Sequence, residues 1–159
     1  ARKNFSKWCM SDSTGRRLNY GQSPVRAIVL ADRIAELADE QEKIGILLPP
    51  SVGGVLANAA VTMLGKVTVN LNYTVSEDVI KSAVEQCGIR SIISSRRFVE
   101  KTAGLGRLPG LIFIEDISGD AGLRVKIKAY LRARFVPRGL LMKIRTRSND
   151  DLATIIFSW

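Results

Sequence analysis

The chain has 159 residues, of which 46% are apolar and 25% charged. This is the usage of one folded domain and excludes a disordered chain. It has no histidine and only two cysteines, which excludes a conventional zinc site, a disulfide framework and any mechanism that takes a histidine base from this chain. No apolar stretch approaches the ~20 residues of a membrane span, and no signal peptide opens the chain, so we expect a cytoplasmic protein.

The net charge of +9 comes from one segment. Residues 121–147 contain nine basic side chains and no acidic one, while the remaining fifteen basic residues equal the fifteen acidic residues in number. The chain is therefore a neutral domain that carries one cationic segment, and the function of the charge belongs to that segment.

The N-terminal part is polar and rich in turn residues. Residues 12–15 (DSTG) predict a hairpin turn before a short extended piece at 18–20. Ser23 followed by Pro24 is typical of a capped helix start. The predicted helix has one apolar face, made of Ala27, Leu30, Ala31, Ile34 and Leu37.

Short apolar runs then alternate with helical segments. We predict strands at 44–48, 67–69, 91–93, 111–114 and 152–157, and helices at 51–65, 76–87 and 97–102 with Ser51 and Ser76 as caps. Strands without polar alternation, separated by helices, are typical of βαβ units. The predicted fold class is α/β, a mostly parallel sheet flanked by helices.

Two further features favour structural roles. Gly104, Gly106 and Gly110 resemble a dinucleotide fingerprint, but they precede a strand instead of following one and predict an ordinary turn. Cys87 falls on an apolar helix face and is expected in the core, whereas Cys9 lies in a polar region. Neither cysteine has a neighbouring base, so we predict no catalytic residue and no metal ligand in this chain.

Three stretches resemble the adenylate-forming (AMP-binding) enzymes, which include acyl-CoA synthetases. LNYGQ at 18–22 is similar to their "(L)(T)Y-x-E-L" opening, and LGKVTVNLNYT at 64–74 to a core helix–strand–loop motif. DLATIIFS at 151–158 resembles the strand that leads into their phosphate loop. The sequences at 70–74, 86–90 and 95–98 are most similar to those of one branch of the family, the acyl-acyl carrier protein synthetases and 2-acylglycerophosphoethanolamine acyltransferases.

The resemblance implies that residues 1–159 are the N-terminal part of a larger adenylation domain. It implies a parent enzyme that activates a fatty acid with ATP and Mg²⁺ and transfers the acyl group to the thiol of a carrier protein or of CoA. The sequence stops at Trp159, where the family's glycine-rich phosphate loop begins. Since backbone N–H groups and a lysine of that loop hold phosphates, we expect this piece to be inactive and to hold no nucleotide.

The resemblance also indicates site residues. Ser158 matches the first hydroxyl residue of the phosphate-loop motif and would lie near nucleotide in the parent. Asn72, Tyr73 and Thr74 follow a predicted strand, where ligands of open α/β sheets bind. The alternative for these three is structural, with Asn72 and Thr74 capping the next helix and Tyr73 packing.

The basic segment predicts a helix whose apolar face is Leu123, Ile127, Tyr130 and Leu131, with Arg124, Lys128 and Arg132 in a row beside it. We expect this helix to pack on the sheet with a basic outer side. That side would contact an anionic membrane surface at the inner face of the membrane, or an acidic partner such as a carrier protein. Few aromatic residues interleave the cations, and we therefore expect no nucleic acid.

A second hypothesis remains for the whole chain. It is a non-enzymatic, Rossmann-like module that docks on a membrane or an acidic protein through the basic segment. We also expect the chain to self-associate, because the apolar stretch at 152–157 would present an open strand edge.

Overall fold

The structure is a computed structural model that describes residues 2–38, 40–102, 104–119, 122–141 and 152–157. It begins with a hairpin of β1 (Trp8–Ser11) and β2 (Arg17–Asn19), which pair antiparallel. The turn between them contains Gly15 at φ +80°, a conformation that glycine adopts without strain. The predicted hairpin turn is confirmed.

A βαβ body follows the hairpin. Its strands are β3 (Lys43–Ile46), β4 (Val67–Asn70), β5 (Ile92–Ser94), β6 (Leu111–Phe113) and β7 (Thr154–Ile156). Its helices are α1 (Gln22–Ala38), α2 (Val52–Met63), α3 (Glu77–Cys87), α4 (Arg96–Lys101), α5 (Ile114–Gly119), α6 (Leu123–Phe135) and α7 (Arg138–Leu141).

The five strands form one parallel sheet in the order β6-β5-β3-β4-β7. The α/β prediction is confirmed, and the five strands lie where the sequence predicts them. The sequence did not predict α5, because residues 111–114 were assigned to the strand and the acidic turn at Glu115 and Asp116 was not recognised as a helix start.

The core has two layers, one on each face of the sheet. On one face, α1, α2 and α5 cover Ile44, Ile46 and Ile93. On the other, α3 and the turn at Leu105–Arg107 cover Leu47, Val69 and Ile92. Because successive strand residues point to opposite faces, Ile92 and Ile93 serve different layers.

Helix α1 starts one residue before the predicted cap. The Asn19 side chain accepts hydrogen bonds from the backbone N–H groups of Gly21 and Gln22, at 3.0 and 2.8 Å. Ser23 lies inside the helix, and its hydroxyl donates to the Asn19 carbonyl oxygen at 2.8 Å. The predicted cap at Ser23 is wrong, because the preceding Asn reaches the free N–H groups first.

Of the two other predicted helix caps, the structure shows a side-chain hydrogen bond for Ser51 only. The Ser51 hydroxyl accepts from the N–H of Gly54 at 3.1 Å, which confirms the cap of α2. Ser76 precedes α3 without a side-chain cap bond, and Gly88 ends that helix in the left-handed conformation at φ +63°. The first turn of α3 instead carries Glu77 and Asp78, whose charge favours the helix N-terminus.

The predicted core position of Leu37 on α1 is wrong, since Leu37 is 55% exposed. On α2, Val55 is 50% exposed. Helix α2 instead turns its small residues to the sheet, with Ala57 and Ala60 fully buried, because small side chains allow a helix to approach its neighbours closely.

Candidate functional site at the carboxyl edge of the sheet

The carboxyl ends of all five strands lie at one edge of the sheet, because every strand pair in it is parallel. The chain leaves β3 for α2 on one face and β5 for α4 on the other. Such a topological switch point opens a crevice at the carboxyl edge, where ligands of open α/β sheets bind.

A network of polar side chains joins the middle of α2, the carboxyl end of β4 and the first residue of β7. The amides of Asn58 and Asn70 donate to each other reciprocally, both at 3.1 Å. The Asn70 amide also donates to the Thr154 hydroxyl at 3.3 Å, and that hydroxyl donates to the Thr68 carbonyl oxygen at 3.0 Å. The network therefore fixes the position of β7 against β4 and α2.

The sequence analysis did not identify Asn58 or Thr154 as site residues. Asn58 lies between two alanines of an otherwise apolar helix, and this polar residue was the signal that could have revealed it. Its partner lies twelve positions further along the chain, so spacing along the helix could not identify the pair.

The structure places Asn72, Tyr73 and Thr74 in a tight turn directly after β4. The Asn72 side-chain oxygen accepts from the Thr74 N–H at 3.0 Å and from the Thr74 hydroxyl at 2.7 Å. The Tyr73 ring packs edge-on against Phe98, with 5.3 Å between centroids. Asn72 and Thr74 therefore bond within the turn and not to the start of α3, which begins at Glu77. Of the structural alternative, the structure shows the packing of Tyr73.

A second polar cluster holds the ends of β5 and β6 together. Glu115 accepts from the Ser95 hydroxyl at 2.6 Å and from the Arg96 N–H at 3.1 Å. The Arg96 guanidinium pairs with Asp116 at 2.6 Å and lies over the Phe113 ring, 4.5 Å from its centroid. Glu115 thus satisfies free groups at the start of α4.

An open groove of about 720 Å³ lies on the α1 face of the sheet. More of its exposed wall is apolar than polar, and it is wide enough for a small-molecule ligand. The starts of α2 and α5, at Gly53 and Ile114, line it, so the groove reaches the carboxyl edge. Its charged lining residues are all basic: Arg16, Arg26 and Lys126.

Asp12 joins the hairpin to the start of α2. One carboxylate oxygen accepts from the Thr14 hydroxyl at 2.6 Å and the other from the Val52 N–H at 3.0 Å. These two hydrogen bonds, the first most strongly, hold the pKa of Asp12 below its ordinary value. On α3, the hydrogen bond from Lys81 to Glu77 raises the pKa of Lys81.

The expected packing of the apolar face of the basic helix on the sheet is wrong. Leu123, Ile127, Tyr130 and Leu131 are between 43% and 74% exposed. Helix α6 packs on α1 through Ala129, which is 1% exposed, and through Ala133. The rotation of α6 is fixed by Arg132, which pairs with Asp32 of α1 at 2.5 Å.

Of the predicted contact row, Arg124 and Lys128 are exposed, whereas Arg132 is half-buried in its ion pair with Asp32. Ser158 lies outside the described residues. Cys87 is buried and Cys9 half-buried, and Gly104 to Gly110 form a turn before β6.

Within the described ranges, no group of three acidic or cysteine side chains lies close enough to hold a metal ion. No helix in those ranges is long and apolar enough to cross a membrane.

An open parallel sheet with helices on both faces and a switch point at its carboxyl edge defines an α/β protein of the doubly wound class. The family model for AMP-binding enzymes matches residues 1–158, and the chain belongs to that family.

Solved structures share the fold. A fatty acyl CoA synthetase from Mycobacterium tuberculosis is 17% identical with a TM-score of 0.66, and the match covers 92% of this chain and 28% of that one. A benzoate CoA ligase from Burkholderia xenovorans is 20% identical with a TM-score of 0.60, covering 70% and 23%. The O-succinylbenzoate coenzyme A synthetase from Bacillus subtilis, in complex with ATP and magnesium ion, is 18% identical with a TM-score of 0.56, covering 65% and 28%. The matches therefore span about a quarter of these enzymes.

Proposed function

We propose that this chain is part of an acid–thiol ligase that uses ATP to activate a fatty acid. The observation that carries the proposal is the match of the AMP-binding enzyme model to residues 1–158. In the proposed reaction the acid carboxylate attacks the α-phosphorus of ATP, and pyrophosphate leaves with Mg²⁺ neutralising the phosphate charge. A thiol of CoA or of a carrier protein then attacks the acyl carbon, and AMP leaves.

The contacts at the carboxyl edge support separate roles for its residues in the proposed reaction. The Asn58–Asn70–Thr154 network holds β7, and the chain after β7 reaches Ser158. We assign to this network the positioning of the segment that contacts the phosphates, and to Ser158 a contact with nucleotide. The residues of the turn at 72–74 shape the same edge.

The groove supports a substrate with a long apolar body. Aliphatic side chains of three helices line it, among them Val29, Leu56 and Ile117, and these favour a flexible alkyl chain over a polar acid. The basic lining residues Arg16, Arg26 and Lys126 favour a carboxylate over a neutral or cationic head.

The test is a substrate panel on the complete polypeptide that the gene encodes. Pyrophosphate release is measured with ATP, Mg²⁺ and either fatty acids of increasing length, benzoate or O-succinylbenzoate. We expect release that depends on the fatty acid and an acyl thioester when CoA or a carrier protein is added. Release with the aromatic acids alone would overturn the fatty-acid assignment.

The chain 1–159 alone is expected to bind ATP weakly and to release no pyrophosphate, because its sequence contains no glycine-rich phosphate loop with its lysine. Calorimetric titration with ATP and Mg²⁺ measures this. Tight binding by this chain would show that the described edge holds nucleotide without that loop.

The second candidate function is a docking module without catalysis. The exposed apolar and basic side of α6 favours it. The same panel separates the two, since a docking module consumes no ATP with any acid.

A further inference from the structure

Most of the large apolar residues of α6 lie on the side away from Ala129 and Ala133, and one of them, Ile127, also lines the groove beside α1. Leu123, Ile127, Leu131 and Phe135 are 74%, 50%, 48% and 68% exposed, and their spacing of four residues places them in one row along the helix. Two exposed cations, Arg124 and Lys128, form a second row beside them. We call these six residues the outer face of α6.

The arrangement is the reverse of an ordinary surface helix. Such a helix turns its large apolar side chains to the core and its polar ones to water. In α6 the buried contact is made by Ala129 and Ala133, small residues that bring the helix close to α1. The inward Arg132 is neutralised by Asp32. The large apolar residues are therefore left to contact something outside the described part of the chain.

The charge around the outer face selects an anionic surface. Residues 121–147 contain no acidic residue, so no carboxylate of this segment opposes an approaching anion. Arg134 lies beside the apolar row with its guanidinium over the Phe135 ring, 5.6 Å from the centroid. A long arginine in this position can extend its charge to a headgroup layer while its stem stays in the apolar layer.

Protein partners fit this face less well than lipid. The core of a protein–protein interface is depleted in charged residues, lysine among them. Helices that lie in the plane of a membrane combine apolar side chains with flanking lysine and arginine. The outer face of α6 has the second composition.

We propose that the outer face of α6 docks the protein on an anionic lipid surface, with Leu123, Ile127, Leu131 and Phe135 in the headgroup boundary and Arg124 and Lys128 on the lipid phosphates. The proposal does not depend on the proposed ligase function. A protein that does not bind vesicles can still activate an acid with ATP. A protein that does not activate an acid can still bind vesicles.

The experiment is co-sedimentation of the complete polypeptide with vesicles of phosphatidylcholine alone and of phosphatidylcholine mixed with phosphatidylglycerol. We expect binding to the anionic vesicles only. Binding should weaken as ionic strength rises from about 0.1 M to about 1 M, because the Debye length falls from about 10 to about 3 Å.

Three variants locate the binding face. Each cation near an anionic surface contributes about 5-fold in affinity, so R124Q/K128Q should lower binding about 25-fold. I127Q/L131Q should also lower binding but keep the dependence on salt. R97Q/K101Q is the matched control, because it removes the same two charges from exposed positions on α4, against the opposite layer of the core, and should change binding less than about 2-fold. Thermal unfolding of each variant checks that the fold is retained.

Several results would overturn the proposal. One is equal binding of the wild type and R124Q/K128Q, and another is an equal loss in R97Q/K101Q, which would indicate attraction by net charge alone. A wild type that ignores vesicles and forms dimers that I127Q/L131Q dissociates would assign the face to a second copy. Binding of nucleic acid in place of vesicles, lost in R124Q/K128Q, would assign it to that polyanion.

Discussion

At the scale of single residues, Asp12 in the hairpin turn makes a contact with a distant part of the chain, the start of α2. Its carboxylate accepts four hydrogen bonds, three within its own turn and one from the N–H of Val52, forty residues along the chain. A turn aspartate is expected from the sequence, whereas its bond to the start of α2 is visible only in the folded chain. The residue therefore joins the hairpin to the βαβ body.

We predict that Asp12→Asn destabilises the protein at about pH 7, because the amide that replaces one carboxylate oxygen cannot satisfy both the Val52 and Thr14 donors. The native pKa lies below the ordinary value of 3.8, so this stabilisation is full above that value. It is lost as the pH falls through the native pKa. Urea unfolding of both proteins should show a difference at about pH 7 that narrows as the pH falls below the ordinary value of 3.8.

Ser13→Ala is the control for this prediction, since Ser13 is exposed in the same turn. It should leave the urea midpoint unchanged at either pH. A gap between Asp12→Asn and the wild type that stays constant with pH would show that the carboxylate charge has no part in the contact.

At the scale of elements, α6 shows which information the sequence lacks. Apolar spacing correctly predicts a helix in the basic segment, which the structure places at Leu123–Phe135. It assigns the wrong face to the core, because Leu123 and Ile127 outweigh Ala129 in any hydrophobic pattern. The ion pair between Arg132 and Asp32 joins residues a hundred positions apart, and no local pattern contains it.

Other elements were predictable for a physical reason. The strands β3, β4 and β5 are buried on both faces and read as continuous apolar runs, and α3 has a clean apolar face that ends at Gly88. The carboxyl-edge location of Asn70 and Asn72 follows from strand direction alone. The partners of Asn70, Asn58 and Thr154, depend on tertiary packing and could not be predicted.

The helix orientation has a direct test in stability. Ala129→Leu should cost about 1–3 kcal/mol, because the added methylenes have no room between α6 and α1. Leu123→Ala should cost less than about 0.5 kcal/mol, since Leu123 is already exposed to water. Chemical denaturation measures both. The reverse order would mean that the face predicted from the sequence is the buried one.

At the scale of the whole molecule, β7 is an edge strand of the described sheet and exposes Ile156. Unpaired strand edges of this kind pair with other chains. We predict that the chain 1–159 self-associates and that Ile156→Lys shifts it toward monomer, because a charge on an edge strand opposes pairing. Light scattering over a concentration series measures the change.

The control is Leu123→Lys, which adds the same charge at an exposed apolar position on α6. If both variants dissociate the chain equally, the association does not occur at the strand edge. A wild-type chain that stays monomeric at every concentration would contradict the prediction itself.

The central claim is that this chain serves acid activation through an acyl-adenylate. The most direct measurement is mass spectrometry of a reaction that contains the complete polypeptide, ATP, Mg²⁺ and a fatty acid, without any thiol. We expect acyl-AMP and pyrophosphate in equal amounts, and conversion of acyl-AMP to a thioester and AMP once a thiol is added. Formation of ADP and an acyl phosphate, or no consumption of ATP with any acid, would contradict it.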